Sequence, residues 1–467
     1  MTQLEGVVLL VVYFCLMMFA ARIIKSGKDK RSFLVGNRSI GWIVGAFSLA
    51  ATWVWAPSMF VASEKAYLQG IAGVFWFVVP NIATLAIFAF FADRMRKLRP
   101  EGWTFSEYIR ESYSNRVHNL FLFESFGLQI CSLAVQLLAG ATIMHKMTGL
   151  PFVWMTVVLA LIPLLYTFKS GITASILTDY WQMIWIVLVL LIGLPIILSN
   201  AGVESLSLGL SGKSGEYGSL FSSEGLKVAL TFGLPTTIGL LSGTFGDQMF
   251  WQRVFSVKKG SVKKTVLLSS LIFGVVPISL AFFGFISAGA GLDIADTQLT
   301  NVGAVMAFAP KWFLWMFMVM ILSGLISTVD SILCAVSSIT SVDVMNRIRE
   351  RFRDNNEDEV SAGRLAMILA VIGAIIIANI PHLTILYLFL FYGTLRSSVM
   401  LPSIFAIKGF RMSEKGLFWG ILTSICIGLP VFAIGNIYQN TAMIVGGSLF
   451  TILASGIMAL TLKEERK

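Results

Sequence analysis

Thirteen stretches of predominantly apolar residues, separated by short polar segments, run from one end of this 467-residue chain to the other. A helix rises 1.5 Å per residue, so about 20 apolar residues cross the roughly 30 Å hydrocarbon core of a bilayer. Backbone N–H and C=O groups in that solvent must be satisfied within the chain, which continuous apolar runs of this length achieve as helices. Composition agrees: 56% of residues are hydrophobic and only 13% charged, and mean hydropathy is +0.81. A water-soluble enzyme is excluded, and the chain reads as an all-α polytopic membrane protein. The first stretch, residues 7–21, has the length of a signal-peptide core. However, acidic Glu5 precedes it, Phe19 spoils a small-x-small cleavage pattern ending at Ala21, and charges follow, so it is expected to remain as a span. Cys15, Cys131, Cys334 and Cys426 all lie in apolar stretches without metal-ligand spacing and are expected to be buried hydrophobes.

The net charge of +10 does not form one basic patch, which argues against a nucleic-acid partner. Of the 35 Lys and Arg, 29 fall in alternate loops, at 22–38, 94–116, 169, 253–264, 347–364 and 408–415, and in the C-terminal tail. Basic residues are retained on the cytoplasmic side, so the N-terminus is expected outside and the C-terminus cytoplasmic, as an odd number of spans requires. The longest external loop, 199–225, is rich in Ser and Gly. On the inner side, 104–116 is expected as an interfacial amphipathic helix and 347–359 as a solvated connector. The expected partners are the lipid bilayer and a small-molecule solute, with no obligate protein partner evident.

Residues 41–69 are too long for one straight span, and Pro57 follows the run Ala50, Ala51, Thr52, Trp53, Val54, Trp55, Ala56. Proline removes a helix hydrogen bond and clashes with the carbonyl four residues back, which frees main-chain oxygens near mid-membrane. Five spans later, residues 231–246 carry Gly233, Pro235, Gly239, Gly243 and Gly246. Two interruptions at equivalent places and of opposite topology point to an inverted-repeat secondary transporter. The alternative is the general abundance of Gly and Pro in membrane helices. Farther on come Ser323, Gly324, Ser327, Thr328, Asp330, Ser331, Ser337 and Ser338. Adjacent hydroxyls at Ser327 and Thr328, with the Gly324 carbonyl one turn earlier, suit a hard monovalent cation such as Na⁺. Helix packing through small residues is the competing reading.

Tyr166, Thr167, Gly171, Ala174, Thr178, Asp179 and Gln182, taken with Gln252-Arg253 and with Ser327-Thr328 ahead of Asp343, resemble the signatures of the sodium:solute symporters. The resemblance spans nearly the whole chain. It implies a leucine-transporter-like fold of 13 transmembrane helices: an N-terminal extra helix and basic loop in 1–40, a five-helix repeat in 41–198, an external loop in 199–225, an inverted repeat in 226–407, and two C-terminal helices in 408–467. It further implies Na⁺-coupled symport of a small polar solute by alternating access, in a bacterial inner membrane. The positions matching the family's Na⁺ ligands are Ala51, Val54, Gly324, Ser327 and Thr328. A second cation, or a proton, would sit at Asp179, Asp330 and Ser331, where Asp330 departs from the expected hydroxyl. A carboxylate in a span costs at least about 2.5 kcal/mol unless partnered, so Asp330 is expected to be paired or protonated.

Trp53, Trp55 and the run Asp247, Gln248, Trp251, Gln252, Arg253 look most like the urea-carrier branch, and aromatic walls suit a small planar amide. Thr244 and Gln248 join Trp53 and Trp55 as candidate solute contacts. Arg396, in mid-span, could instead clamp a substrate carboxylate, or pair with Asp330 or Asp179 as an inner gate. Urea-like amides, small carboxylates and amino acids therefore all stay open. H⁺-coupled symport and a cation channel are the alternatives to Na⁺ coupling. An enzyme is not expected, because His118, His145 and His382 fall near span ends and no catalytic motif is present.

Overall fold

The computed structural model describes residues 1–22, 29–352, 359–383 and 385–462. Lys25, Lys28, Arg353, Lys463, Arg466 and Lys467, all counted in the basic-loop pattern, lie outside the described residues, as do most of the connector before Glu359 and residue 384. Every apolar stretch is helical, and no sheet forms among the described residues. The chain runs α1 (Gln3–Arg22), α2 (Lys30–Val35), α3 (Trp42–Trp53), α4 (Ala56–Leu98), α5 (Phe105–Ser112), α6 (Asn115–Thr148) and α7 (Phe152–Ala201). Next come α8 (Val203–Gly209), α9 (Ser223–Val228), α10 (Leu234–Gly246), α11 (Gln248–Ser256), α12 (Val262–Gly289), α13 (Thr300–Phe308) and α14 (Lys311–Ile339). The last six are α15 (Met345–Phe352), α16 (Glu359–Ala378), α17 (Ile385–Lys408), α18 (Glu414–Thr423), α19 (Leu429–Ile437) and α20 (Thr441–Thr461).

Two helices far exceed a bilayer's thickness, and each folds back at a glycine that only a residue without Cβ can supply. Gly70 in α4 has φ +50° and Gly171 in α7 has φ +57°. A Cβ at Gly70 would stand 2.5 Å from the Leu210 carbonyl oxygen, and one at Gly171 would stand 2.2 Å from that of Phe33. Gly70 thereby divides α4 into 56–69, which continues the interrupted span begun by α3, and 71–98, while Gly171 divides α7 into 152–170 and 172–201.

The expected first interruption lies where Pro57 sets it. The helix stops at Trp53, Val54 (φ −82°, ψ 71°) and Trp55 (φ −93°, ψ 172°) leave helical geometry, and α4 restarts at Ala56. The second differs from expectation. The Gly-rich run 231–246 remains helical, with a π-turn at Ala229–Gly233 that lets Pro235 sit in the first turn of α10. The chain breaks one residue later, at Asp247, whose side chain caps α11 through Met249 N–H.

Helix α14 is the hub, buried along nearly its whole length against α6, α7 and α16. The polar loops gather at two ends. Gln3, Glu5, Lys146, Lys213, Asp293, Asp296 and Lys311 interact at one. Lys30, Arg38, Glu101, Arg349 and Glu359 meet at the other, basic end. At that end Thr104 caps α5 by accepting from Glu107 N–H, and Glu107 reaches back to Trp103 N–H, one residue before the cap. The helix expected over 104–116 is thus shorter, and it buries Phe105 and Ile109 against the bundle rather than lying free.

The cysteine expectation needs correcting. Cys334 is buried and Cys131 partly so, but Cys15 and Cys426 are on the outer surface. In a bilayer an apolar residue is equally at home facing lipid, so hydropathy alone does not separate the two faces.

Candidate cation and solute site

The interruption after Trp53 brings main-chain oxygens against α14. Ser327 Oγ lies 3.2 Å from the Ala51 carbonyl oxygen and 3.0 Å from that of Gly324. Thr328 Oγ1 lies 3.3 Å from the Val54 carbonyl oxygen and 3.2 Å from that of Gly324. Five oxygens from segments about 270 positions apart are therefore linked into one group, with Ser327 and Thr328 both fully buried. None of the five carries a formal charge. Ligand oxygens of a hard cation bound at about 2.4 Å stand roughly 3.4 Å apart at right angles, close to these separations.

One turn along α14, a buried charged cluster adjoins the group. Asp179 Oδ2 accepts from Arg253 at 2.7 Å and from Ser48 at 2.7 Å. Arg253 also donates to Ser175 (2.9 Å), Ser331 (2.6 Å) and Ser48 (3.0 Å). Asp330 accepts from Tyr166 at 2.5 Å, Ser175 at 2.6 Å and Thr178 at 3.3 Å. Ser331 in turn donates to the Ser327 carbonyl at 2.6 Å, which ties the cluster to the oxygen cage. With all three ionised, two carboxylates face one guanidinium and the cluster carries one net negative charge.

Asp330 is thus partnered by hydroxyls rather than by Arg396, and Asp179 pairs with Arg253. The pairing of Arg396 with either aspartate does not occur. The basic-loop pattern places Arg253 in an internal loop, but it is 1% exposed within α11.

Arg396 lies elsewhere, its guanidinium 4.4 Å from the Tyr392 ring centroid and 5.6 Å from that of Trp55. It lines a cavity of about 130 Å³ with Trp55, Phe232, Thr236, Gly393 and Ser397. Phe232 and Thr236 also border a second cavity of about 200 Å³, which reaches Glu64, Lys65 and Asp296 near the less basic end. Trp53 and Thr244 are buried beside this region, whereas Gln248 is not brought to it. The Gln248 amide is engaged with Phe105 N–H, the Trp103 carbonyl and Ser338. There it joins a plug at the basic end, where Trp251 stacks on Phe105 with centroids 4.8 Å apart. His118 and Thr104 both bond Asp343 in the same plug.

A profile of the sodium:solute symporter family matches residues 33–424. The chain belongs to that family. Its relatives include a urea-proton symporter of Oryza sativa, 22% identical over 93% of this chain and 66% of that protein. They also include the sodium/pantothenate symporter of Escherichia coli, 23% identical over 97% of this chain and 91% of that one. The chain spans about two thirds or less of the length of the urea transporters it matches. Among solved structures, a Na⁺-coupled sialic acid symporter described as substrate-bound and outward-open superposes with a TM-score of 0.79 at 17% identity, covering 97% of both chains. A nucleobase-cation-symport family transporter superposes with a TM-score of 0.57 at 14% identity, covering 92% of this chain and 94% of that one. The fold of this family member is therefore leucine-transporter-like. Family and relatives are transporters, not enzymes, and the chain is a multi-pass membrane protein.

Sequence reasoning overlooked Glu124 and the pairing role of Arg253. Both sit in apolar surroundings, Arg253 between Phe250-Trp251 and Val254-Phe255. An ionisable residue inside a span is a functional candidate by default, and that signal was available.

Proposed function

We propose that this sodium:solute symporter family member couples inward Na⁺ movement to uptake of a small, neutral, polar solute of the urea or carboxamide kind. The observation that carries the reading is the meeting of the Ser327 and Thr328 hydroxyls with the Ala51 and Val54 carbonyls. Uncharged oxygens without a carboxylate favour a monovalent over a divalent ion. A cation in the cage would also neutralise the single excess negative charge of Asp179, Asp330 and Arg253, to which Ser331 links it. Solute would enter from the end bearing the two cavities, while the plug around Phe105, Trp251 and Asp343 closes the other side. Residues 41–198 and 226–407 would act as the two inverted repeats, with the N-terminus outside and the C-terminus in the cytoplasm of a bacterial inner membrane.

A second reading, H⁺ coupling, is favoured by the likeness to the urea-proton symporter of rice and by the same excess charge, with Asp179, Asp330 and Ser331 as the place for a second cation or proton. Purified protein in liposomes separates the two. Uptake of radiolabelled urea or acetamide driven by an imposed Na⁺ gradient at equal pH on both sides supports Na⁺ symport. Uptake driven only by a pH gradient supports the second reading. Ion current without saturable solute uptake would make the chain a channel.

A further inference from the structure

Ionisable side chains come together from three places: Glu124 from α6, Asp247 at the break between α10 and α11, and Arg396 from α17, which also lines the Trp55 cavity. Glu124 and Asp247 are fully buried and Arg396 is 3% exposed. They converge in space. Gly246, beside Asp247, packs with its notional Cβ 3.1 Å from Arg396 Cβ, and Gly127, one turn past Glu124, faces Leu395. The group is nonetheless only partly satisfied from within the protein. Asp247 Oδ1 accepts from Gln129 at 2.8 Å and from Met249 N–H at 3.1 Å, but Asp247 Oδ2, Glu124 Oε1 and Arg396 Nε have no hydrogen-bond partner. The neighbouring Thr244 Oγ1 and Trp53 Nε1 are likewise without one.

Buried polar atoms are expensive unless bonded, and buried charges more so. A cluster of them left open on three different segments, one member of which lines a cavity, is the arrangement a polar ligand completes. The chemistry of the open atoms specifies that ligand. Carboxylate oxygens accept from N–H groups, and a guanidinium donates to a carbonyl. Two acids against one guanidinium leave a net negative charge, which repels a carboxylate solute. Gly243 lets the Arg396 guanidinium and the Trp53 ring pack directly on the helix backbone, because a Cβ there would stand 2.3 Å from Arg396 Nη1 and 2.8 Å from the Trp53 ring.

We propose that Glu124, Asp247 and Arg396 form the solute-reading site, with Arg396 donating to a carbonyl oxygen and the two carboxylates accepting from amide N–H groups, so that the cargo is a neutral, planar, N–H-rich amide. The assignment rests on the symport reading for the site's role but makes a separate claim about solute chemistry. It leaves Arg396 as a carbonyl donor, not as a clamp for a substrate carboxylate.

The matched pair acetamide and acetate tests it, since the two share size and shape and differ in NH₂ against O⁻. In wild-type liposomes with a Na⁺ gradient, urea and acetamide should compete for uptake at least about 100-fold better than acetate, the scale on which a site built for N–H groups rejects an analogue lacking them. Glu124→Gln should raise the half-saturating acetamide concentration about 10- to 100-fold, with the half-saturating Na⁺ concentration unchanged. Preference for acetate, preference for guanidinium over urea, or unaltered acetamide affinity in correctly folded Glu124→Gln protein each overturns the proposal. Thermal-shift measurements on wild-type protein keep the two readings apart. Stabilisation by acetamide and not by acetate, in protein that shows no ion-driven uptake, removes the coupling and upholds the solute site. Stabilisation by neither removes the solute site.

Discussion

Replacing Arg253 with methionine removes a guanidinium that donates to Asp179, Ser48, Ser175 and Ser331 at 2.6 to 3.0 Å, while keeping much of its apolar stem. With every group ionised, the buried charge of the cluster goes from one negative to two. Removing one partner of a buried pair typically costs about 3–5 kcal/mol, because the other charge is left uncompensated. Asp179→Asn acts differently: Arg253 then balances Asp330 through Ser175, the net charge is zero, and the loss is confined to charge-assisted hydrogen bonds worth about 1.5–3 kcal/mol. The double variant restores one net negative charge. At an unfolding entropy of roughly 1 kcal/mol/K for a chain of this length, Arg253→Met should lower Tm by about 3–5 °C and Asp179→Asn by about 2–3 °C. Adding Asp179→Asn to Arg253→Met should then recover part of the loss instead of deepening it. Thermal unfolding of the four proteins in one detergent, followed by size-exclusion fluorescence, gives the cycle. Strictly additive losses, or an Asp179→Asn variant less stable than Arg253→Met, would refute this account of the cluster.

Gly171→Ala should sharply reduce the yield of monodisperse protein, because its φ of +57° and the Phe33 carbonyl 2.2 Å from the new Cβ leave no room; normal yield and Tm would contradict this. Gly243→Val should weaken acetamide uptake at least about tenfold by crowding Arg396 and Trp53, with Na⁺-dependent stabilisation intact. Equal loss of both would assign Gly243 to the fold. Asp343→Asn weakens the bonds to Thr104 and His118 and should loosen the plug at the basic end. Its readout is faster maleimide labelling of a cysteine placed at buried Ser106, and an unchanged rate would discard the gating role.

How far the sequence reaches depends on whether the determining interaction is local. The apolar helices were legible because hydropathy acts residue by residue along each of them, and the turns at Gly70 and Gly171 fell between stretches already separated. Pro57 marked the first interruption correctly because its clash lies within one turn of the break. The second was misread by a residue or more: Gly233, Gly239 and Gly243 permit a bend without requiring it, and the bend is fixed by the side-chain cap at Asp247. The coming together of Ala51 and Val54 with Ser327 and Thr328 was reached through family signatures, since local pattern carries no information about a pairing some 270 residues apart. Pairing of charges was the least legible layer. Arg253 reads as a loop cation and Arg396 as either a clamp for a substrate carboxylate or a partner for the aspartates, and only three-dimensional packing assigns the first to Asp179 and the second to the aromatic cavity.

Equilibrium binding of ²²Na⁺ to purified wild-type, Ser327→Ala and Thr328→Ala proteins, with K⁺ keeping ionic strength constant, addresses the cation cage directly. The account predicts saturable Na⁺ binding that K⁺ does not displace, weakened at least about tenfold by either substitution, as loss of one liganding oxygen implies. Binding of equal strength in all three proteins would contradict it.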